Sequence, residues 1–144
     1  MAGRDVNVQM GLTSVDEVSF MMLPGKVTEN VQPGNIKLGF FNQVQPEVES
    51  DKIALIFGVR YELEDDKILE CVYRFEFRVN GLARFIITHD KEGITVTYIM
   101  PLLINVAIGT MRGILVVKTA GTNLSKFPLP IIDSVRLTQS LSNP

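Results

Sequence analysis

Residues 52–79 read KIALIFGVRYELEDDKILECVYRFEFRV, and this stretch decides the fold. Between Lys52 and Leu63, the apolar residues Ile53, Leu55, Phe57, Val59, Tyr61 and Leu63 share one parity. Ala54, Ile56, Gly58, Arg60 and Glu62 take the other. This period of two is that of a strand with one face buried and the other mixed. Between Ile68 and Val79 the pattern repeats, with Leu69, Cys71, Tyr73, Phe75, Phe77 and Val79 against Glu70, Arg74, Glu76 and Arg78. Two such runs across the polar turn Glu64–Lys67 predict a hairpin. A slip of one residue would drive arginines and glutamates into the core, so the register is strongly specified. Cys71 falls on the inward parity and reads as a small buried hydrophobe rather than a reactive thiol.

Upstream, Val18, Phe20 and Met22 share a parity and predict a short strand over 15–23, closed by Pro24-Gly25. The following turn-rich residues, through Pro33-Gly34, read as a loop. Ile36, Leu38 and Phe40 alternate over 35–44, and Phe41 then breaks parity, as at a bulge. Consecutive Phe residues on a strand face opposite sides, so one of Phe40 and Phe41 lies away from the main core. Downstream, Asn80-Gly81 is a hairpin-type dipeptide. A further strand is predicted over 83–88, a turn over Asp90–Gly93, and an extended stretch over 94–98. Residues 1–14 are expected to be loose, 15–137 to form one domain, and 138–144 to be a flexible tail.

Pro101 opens a helix, since its missing N–H costs nothing at the first helical position. Leu103, Val106, Ala107, Thr110, Met111, Ile114 and Val117 follow at three- and four-residue steps, and Leu102, Ile108 and Leu115 lie opposite. A helix apolar on two sides needs two partners, the sheet and a second subunit. Gly109 and Gly113 each cost about 0.8–1 kcal/mol of helix propensity relative to Ala, which close approach of a neighbouring backbone would offset. Ala120-Gly121 ends the helix. The stretch 99–117 is apolar throughout, but Arg112 at its centre favours a buried helix over a membrane span. The prolines of Phe127-Pro-Leu-Pro-Ile-Ile make the next segment extended, packing back along the domain.

The 144 residues fit one domain, with 46% apolar and 21% charged residues. The mean hydropathy, +0.20, is high for so small a chain, and surplus apolar surface goes into interfaces or grooves. A net charge of −2 with scattered basic residues argues against nucleic acid. One cysteine allows no internal disulfide and fits a reducing compartment. The N-terminus lacks the apolar core of a secretory signal. His89-Asp90 is the only His-containing pair and reads as a solvated loop pair. No cluster has metal-ligand spacing, and neither a phosphate loop nor a nucleophile elbow occurs. A thioesterase with one helix wrapped by a sheet is disfavoured, because residues 101–119 hold no Asp, Glu or His. No enzyme activity, metal or cofactor is therefore expected.

The C-terminal third resembles the SecB preprotein chaperones. The resemblance rests on Pro101-Leu-Leu-Ile-Asn-Val-Ala-Ile-Gly-Thr-Met-Arg112-Gly-Ile-Leu115, then Gly121-Thr122, then Phe127-Pro-Leu-Pro-Ile-Ile-Asp133. With the preceding strands it extends over residues 15–137. It implies an α+β fold: a strongly curved antiparallel sheet of four to five strands, then one long apolar helix packed on the sheet and in the oligomer interface. It also implies a cytoplasmic homotetramer with surface grooves for non-native polypeptide, acting without nucleotide either in protein transport or as a dedicated chaperone of one partner, such as an antitoxin. Phe40, Phe41, Tyr98 and Met100 are the peptide-groove candidates. Leu102, Ile108, Gly109, Arg112, Gly113 and Leu115 are the oligomer-interface candidates. The family's second C-terminal helix is expected to be missing, because only 138–144 remain. The acidic surface that docks the SecA motor in that family has no clear match here; the charged turn 62–66 is the one candidate, and charged turns are common. Two functions follow: a holdase chaperone, or an interaction and assembly protein on the same scaffold without general client binding.

Overall fold

A computed structural model describes residues 9–89 and 93–142. Four strands form one antiparallel sheet: β1 (Met10–Met22), β2 (Ile36–Glu47), β3 (Lys52–Leu63) and β4 (Asp66–Val79). Their order is β1-β4-β3-β2, which leaves β1 and β2 as edges. A separate two-stranded ribbon follows, β5 (Ile86–His89) with β6 (Gly93–Val96). The chain continues into α1 (Met100–Thr119) and ends in α2 (Ser134–Ser142).

The β3–β4 hairpin has the register that the alternation requires, with Leu55 opposite Phe75 and Val59 opposite Cys71. Its inward residues are buried, and Arg60, Arg74 and Glu76 remain on the outer face. The loop is tighter than the four polar residues suggested. Leu63 pairs with Asp66, and Glu64 and Asp65 turn the chain at φ 52° and 67°. Two successive left-handed residues make a type I′ turn, whose twist suits a right-twisted hairpin.

β1 begins at Met10, so the expected loose segment is strand from there; residues 1–8 lie outside the described residues. Register shifts at Leu12/Ser14 and Glu17/Ser19 break its pairing with β4. Such bulges bend an edge strand and blunt its capacity to pair further. Asn80-Gly81 makes no hairpin. Gly81 is left-handed (φ 69°), and the Asp51 carboxylate accepts from the Gly81 and Leu82 amides, both at 3.2 Å. That capping turns residues 82–85 into a short 3₁₀ helix and carries the chain out of the sheet, so the strand predicted over 83–88 starts only at Ile86. The turn expected over Asp90–Gly93, and Asp90 of the His89-Asp90 pair, lie outside the described residues. His89 Nε2 is 2.9 Å from Thr95 Oγ1 across the ribbon.

α1 lays Leu103, Ile104, Ala107, Ile108, Met111 and Leu115 on the inner face of the sheet, where they join Phe57, Phe75 and Phe77 in one core. By length and hydropathy α1 could cross a membrane. Here it packs on the sheet, and the Lys118 ammonium is 2.7 Å from the Glu17 carboxylate on β1. The tail corrects two expectations. Residues 134–142 form α2, a short second helix, where none was anticipated and where a flexible tail was placed from 138. Asp133 caps it, its carboxylate accepting from the Val135 and Arg136 amides at 2.9 and 3.2 Å. Leu137 is buried and Leu141 packs beside it, and α2 rests against α1 and β2.

Candidate functional site: an apolar groove beside an edge strand

Beside β2 lies a cavity of about 230 Å³, lined by Pro33, Ile36, Leu38, Tyr61, Lys126, Phe127, Pro128 and Pro130. Each wall has a local cause. Ile36 and Leu38 share the inward parity of β2 and stand opposite Leu63 and Tyr61 of β3. Pro33 is presented by a 3₁₀ turn over Pro33–Asn35. The Asn35 side chain accepts the Gln32 amide at 2.9 Å and fixes that turn. Tyr61, 1% exposed, belongs to the core. Its hydroxyl donates to the Phe127 carbonyl at 2.8 Å. Burial, with a smaller contribution from Cys71, pushes its pKa up to about 12, so it remains a donor.

The far wall is an extended strap, residues 127–133. A 3₁₀ turn over Asn123–Lys126 delivers it, capped by the Thr122 hydroxyl, which accepts the Leu124 amide. The Asn123 side chain donates to the Val27 carbonyl at 2.6 Å and ties this turn to the loop before β2. Phe127 and Leu129 are buried, while Ile131 is 94% exposed. The Arg112 guanidinium donates to the Leu129 and Pro130 carbonyls, both at 2.8 Å.

None of the four groove candidates lines this cavity. Phe40 faces the core, half-buried, with its ring 6.1 Å from Phe57. Phe41 lies on the outer face over Gly58, its register partner, where a Cβ would collide with the ring. Tyr98 stacks on Phe85 at 6.0 Å and is mostly exposed, with a strained φ of 69°. Met100 packs against the core. The groove's own residues were visible as an inward tyrosine on β3 and the Phe-Pro-Leu-Pro run, but nothing local says that these two meet.

The interface candidates divide. Leu102, Gly109 and Gly113 are exposed, and a Cβ on either glycine would meet nothing within 4 Å. With Val106, Val116 and Val117 they form an open apolar stripe along α1; Val117 is 76% exposed. Ile108 and Leu115 belong instead to the core, and Arg112 is engaged with the strap. The helix is rotated relative to the expected phase because its apolar residues surround it and periodicity alone does not choose a side.

The cavity is a mostly apolar surface of a size to take an apolar side chain. Among the described residues, no group of His, Cys, Asp and Glu could hold a metal. Burial, the largest influence on Cys71, pushes its thiol up to about 12, and its Sγ is 3.4 Å from Met111 Sδ. A buried protonated thiol is inert.

The protein is thus an α+β domain whose four-stranded antiparallel sheet carries one long helix. No family model matches the chain, and no curated protein does so significantly. Among solved structures, it is similar to the SecB-like chaperone Rv1957 of Mycobacterium tuberculosis, in complex with a ChAD peptide from the HigA1 antitoxin Rv1956. The TM-score is 0.45 at 10% identity, over 85% of this chain and 88% of that one.

Proposed function

We infer that the chain is a SecB-type holdase, binding extended apolar segments of other polypeptides without nucleotide. The observation that carries this reading is the apolar cavity lying directly against an unpaired edge strand. A segment added to β2 would take main-chain hydrogen bonds from the edge, which demand little sequence, while an alternate side chain enters the cavity. The lining is mostly apolar, with Lys126 its one charged residue, and the cavity's size suits one large apolar side chain. The resemblance of residues 101–133 to SecB proteins supports the same reading.

One pocket binds weakly. Burying a Leu or Phe side chain contributes about 1.5–3 kcal/mol, less than the roughly 4 kcal/mol of a millimolar complex. Several grooves on one assembly would hold a long client through effective concentration. The open α1 stripe supplies the means: a second copy packed there gives a self-complementary two-fold interface. We place the assembly in the cytoplasm and assign it no enzymatic activity. The alternative, an assembly scaffold with no client groove in use, draws on the same stripe.

The test is aggregation of a urea-denatured reporter enzyme diluted into buffer without nucleotide. The protein at stoichiometric ratio should suppress light scattering, and Leu38→Asp, which puts a charge into the groove, should abolish that protection while circular dichroism is retained. Undiminished aggregation with the wild-type protein would leave the assembly reading in place of the holdase.

A further inference from the structure

We propose that Arg112 is the positioning residue of the groove: its guanidinium holds the strap in place and so sets the width of the cavity. This rests on the cavity being the polypeptide site. Apart from the burial of Phe127 and Leu129 and the packing of Ile132, the strap has few ties to the body. Pro128 and Pro130 have no N–H, and among the described residues no backbone–backbone hydrogen bond ties 128–132 to the body. The carbonyls are held by side chains, Phe127 by Tyr61 and both Leu129 and Pro130 by Arg112. Arg112 forms no ion pair among the described residues, so its fork is spent on these two successive carbonyls.

The geometry makes this contact a wall-setting one. Pro128 and Pro130 face the cavity on either side of Leu129, which points into the core. Fixing the carbonyls of Leu129 and Pro130 therefore fixes where that wall stands. Immediately beyond, Ile131 is exposed, and Arg112 is the last polar hold before Ile132 packs on the core and Asp133 caps α2. A planar fork bonding two carbonyls at 2.8 Å is rigid in a way that an ammonium on a flexible stem is not. Lysine should therefore fail to replace it.

A structural role alone would weaken all ligands alike, so the decisive measurement is selectivity. Long unfolded fluorescent polypeptides whose evenly spaced apolar positions are either all Phe or all Ala are titrated against the full-length protein, so that several grooves engage one chain. The wild type should prefer Phe by about tenfold. In Arg112→Lys and Arg112→Met that preference should fall towards unity. Val79→Ala, a core variant on β4 far along the chain from the strap, should lower stability and leave the preference intact. Unchanged selectivity in both Arg112 variants overturns the proposal and leaves the holdase reading standing, as does loss of selectivity in Val79→Ala to the same degree. A wild type that binds neither polypeptide overturns the holdase reading itself, and the groove role of Arg112 with it.

Discussion

Glu17 sits where β1 passes the last turn of α1. Its carboxylate takes a hydrogen bond from Lys118 at 2.7 Å and another from the Tyr73 hydroxyl at 3.0 Å. These bonds, Lys118 first and Tyr73 second, hold its pKa below the ordinary 4.5. Such a carboxylate contributes stability that is fully present above 4.5 and is lost as pH falls through the lower folded-state value. Thermal melts of wild type and Glu17→Gln should therefore differ near neutral pH and converge as the pH drops below 4.5. A gap that persists into strong acid would show that the tie is not electrostatic. The same Lys118 ammonium lies 4.4 Å from the Phe20 ring centroid, so one side chain fastens the helix to the edge strand in two ways.

At the scale of elements, the β3–β4 turn carries backbone strain that can be removed. Glu64 and Asp65 both adopt left-handed φ, where a side chain costs energy that Gly or Asn largely avoids. Replacing the pair with Asn-Gly should stabilise the domain by about 1 kcal/mol, read as a higher urea midpoint at unchanged slope. A lower midpoint would mean the turn is not of this type. This hairpin was also the most legible part of the chain, because each of its residues has a face and only one register hides the aromatics. The phase of α1 was not legible. Ile108 and Leu115 on one side and Val106 and Val117 on the other are equally apolar, and only packing shows that the first pair is inside. The second helix was missed although its signals were there: Asp133 as cap, then Leu137 and Leu141 one turn apart. The polar residues between them read as a tail because the helix is short and covers the core with a narrow stripe. The groove depends on Tyr61 meeting Phe127 across 66 positions, a contact that no local pattern encodes.

At the scale of the whole molecule, the open face of α1 is the surface on which self-association can be tested. Leu102, Val106, Val116 and Val117 are an unusual group to leave in water, and Gly109 and Gly113 between them leave room for a close neighbour. Gly113→Lys separates the two accounts of these glycines. Within one chain a Cβ at this position meets nothing within 4 Å, and the substitution improves helix propensity by roughly 0.5–1 kcal/mol. Across a helix–helix contact it inserts a charge. The wild type should sediment as a dimer or larger species, and the variant as a folded monomer with undiminished helicity. Unaltered sedimentation of the variant would place any assembly elsewhere on the surface.

The order of elements along the chain also bears on how the protein is made. The sheet is complete by Val79, yet what covers its inner face, from Leu103 to Leu137, follows later. Domains emerge from the ribosome N-terminus first. For that interval the nascent sheet shows water a row of Phe57, Phe75 and Phe77 with nothing over them. In its own biogenesis the protein thus passes through a stage resembling the molecules it is proposed to shelter.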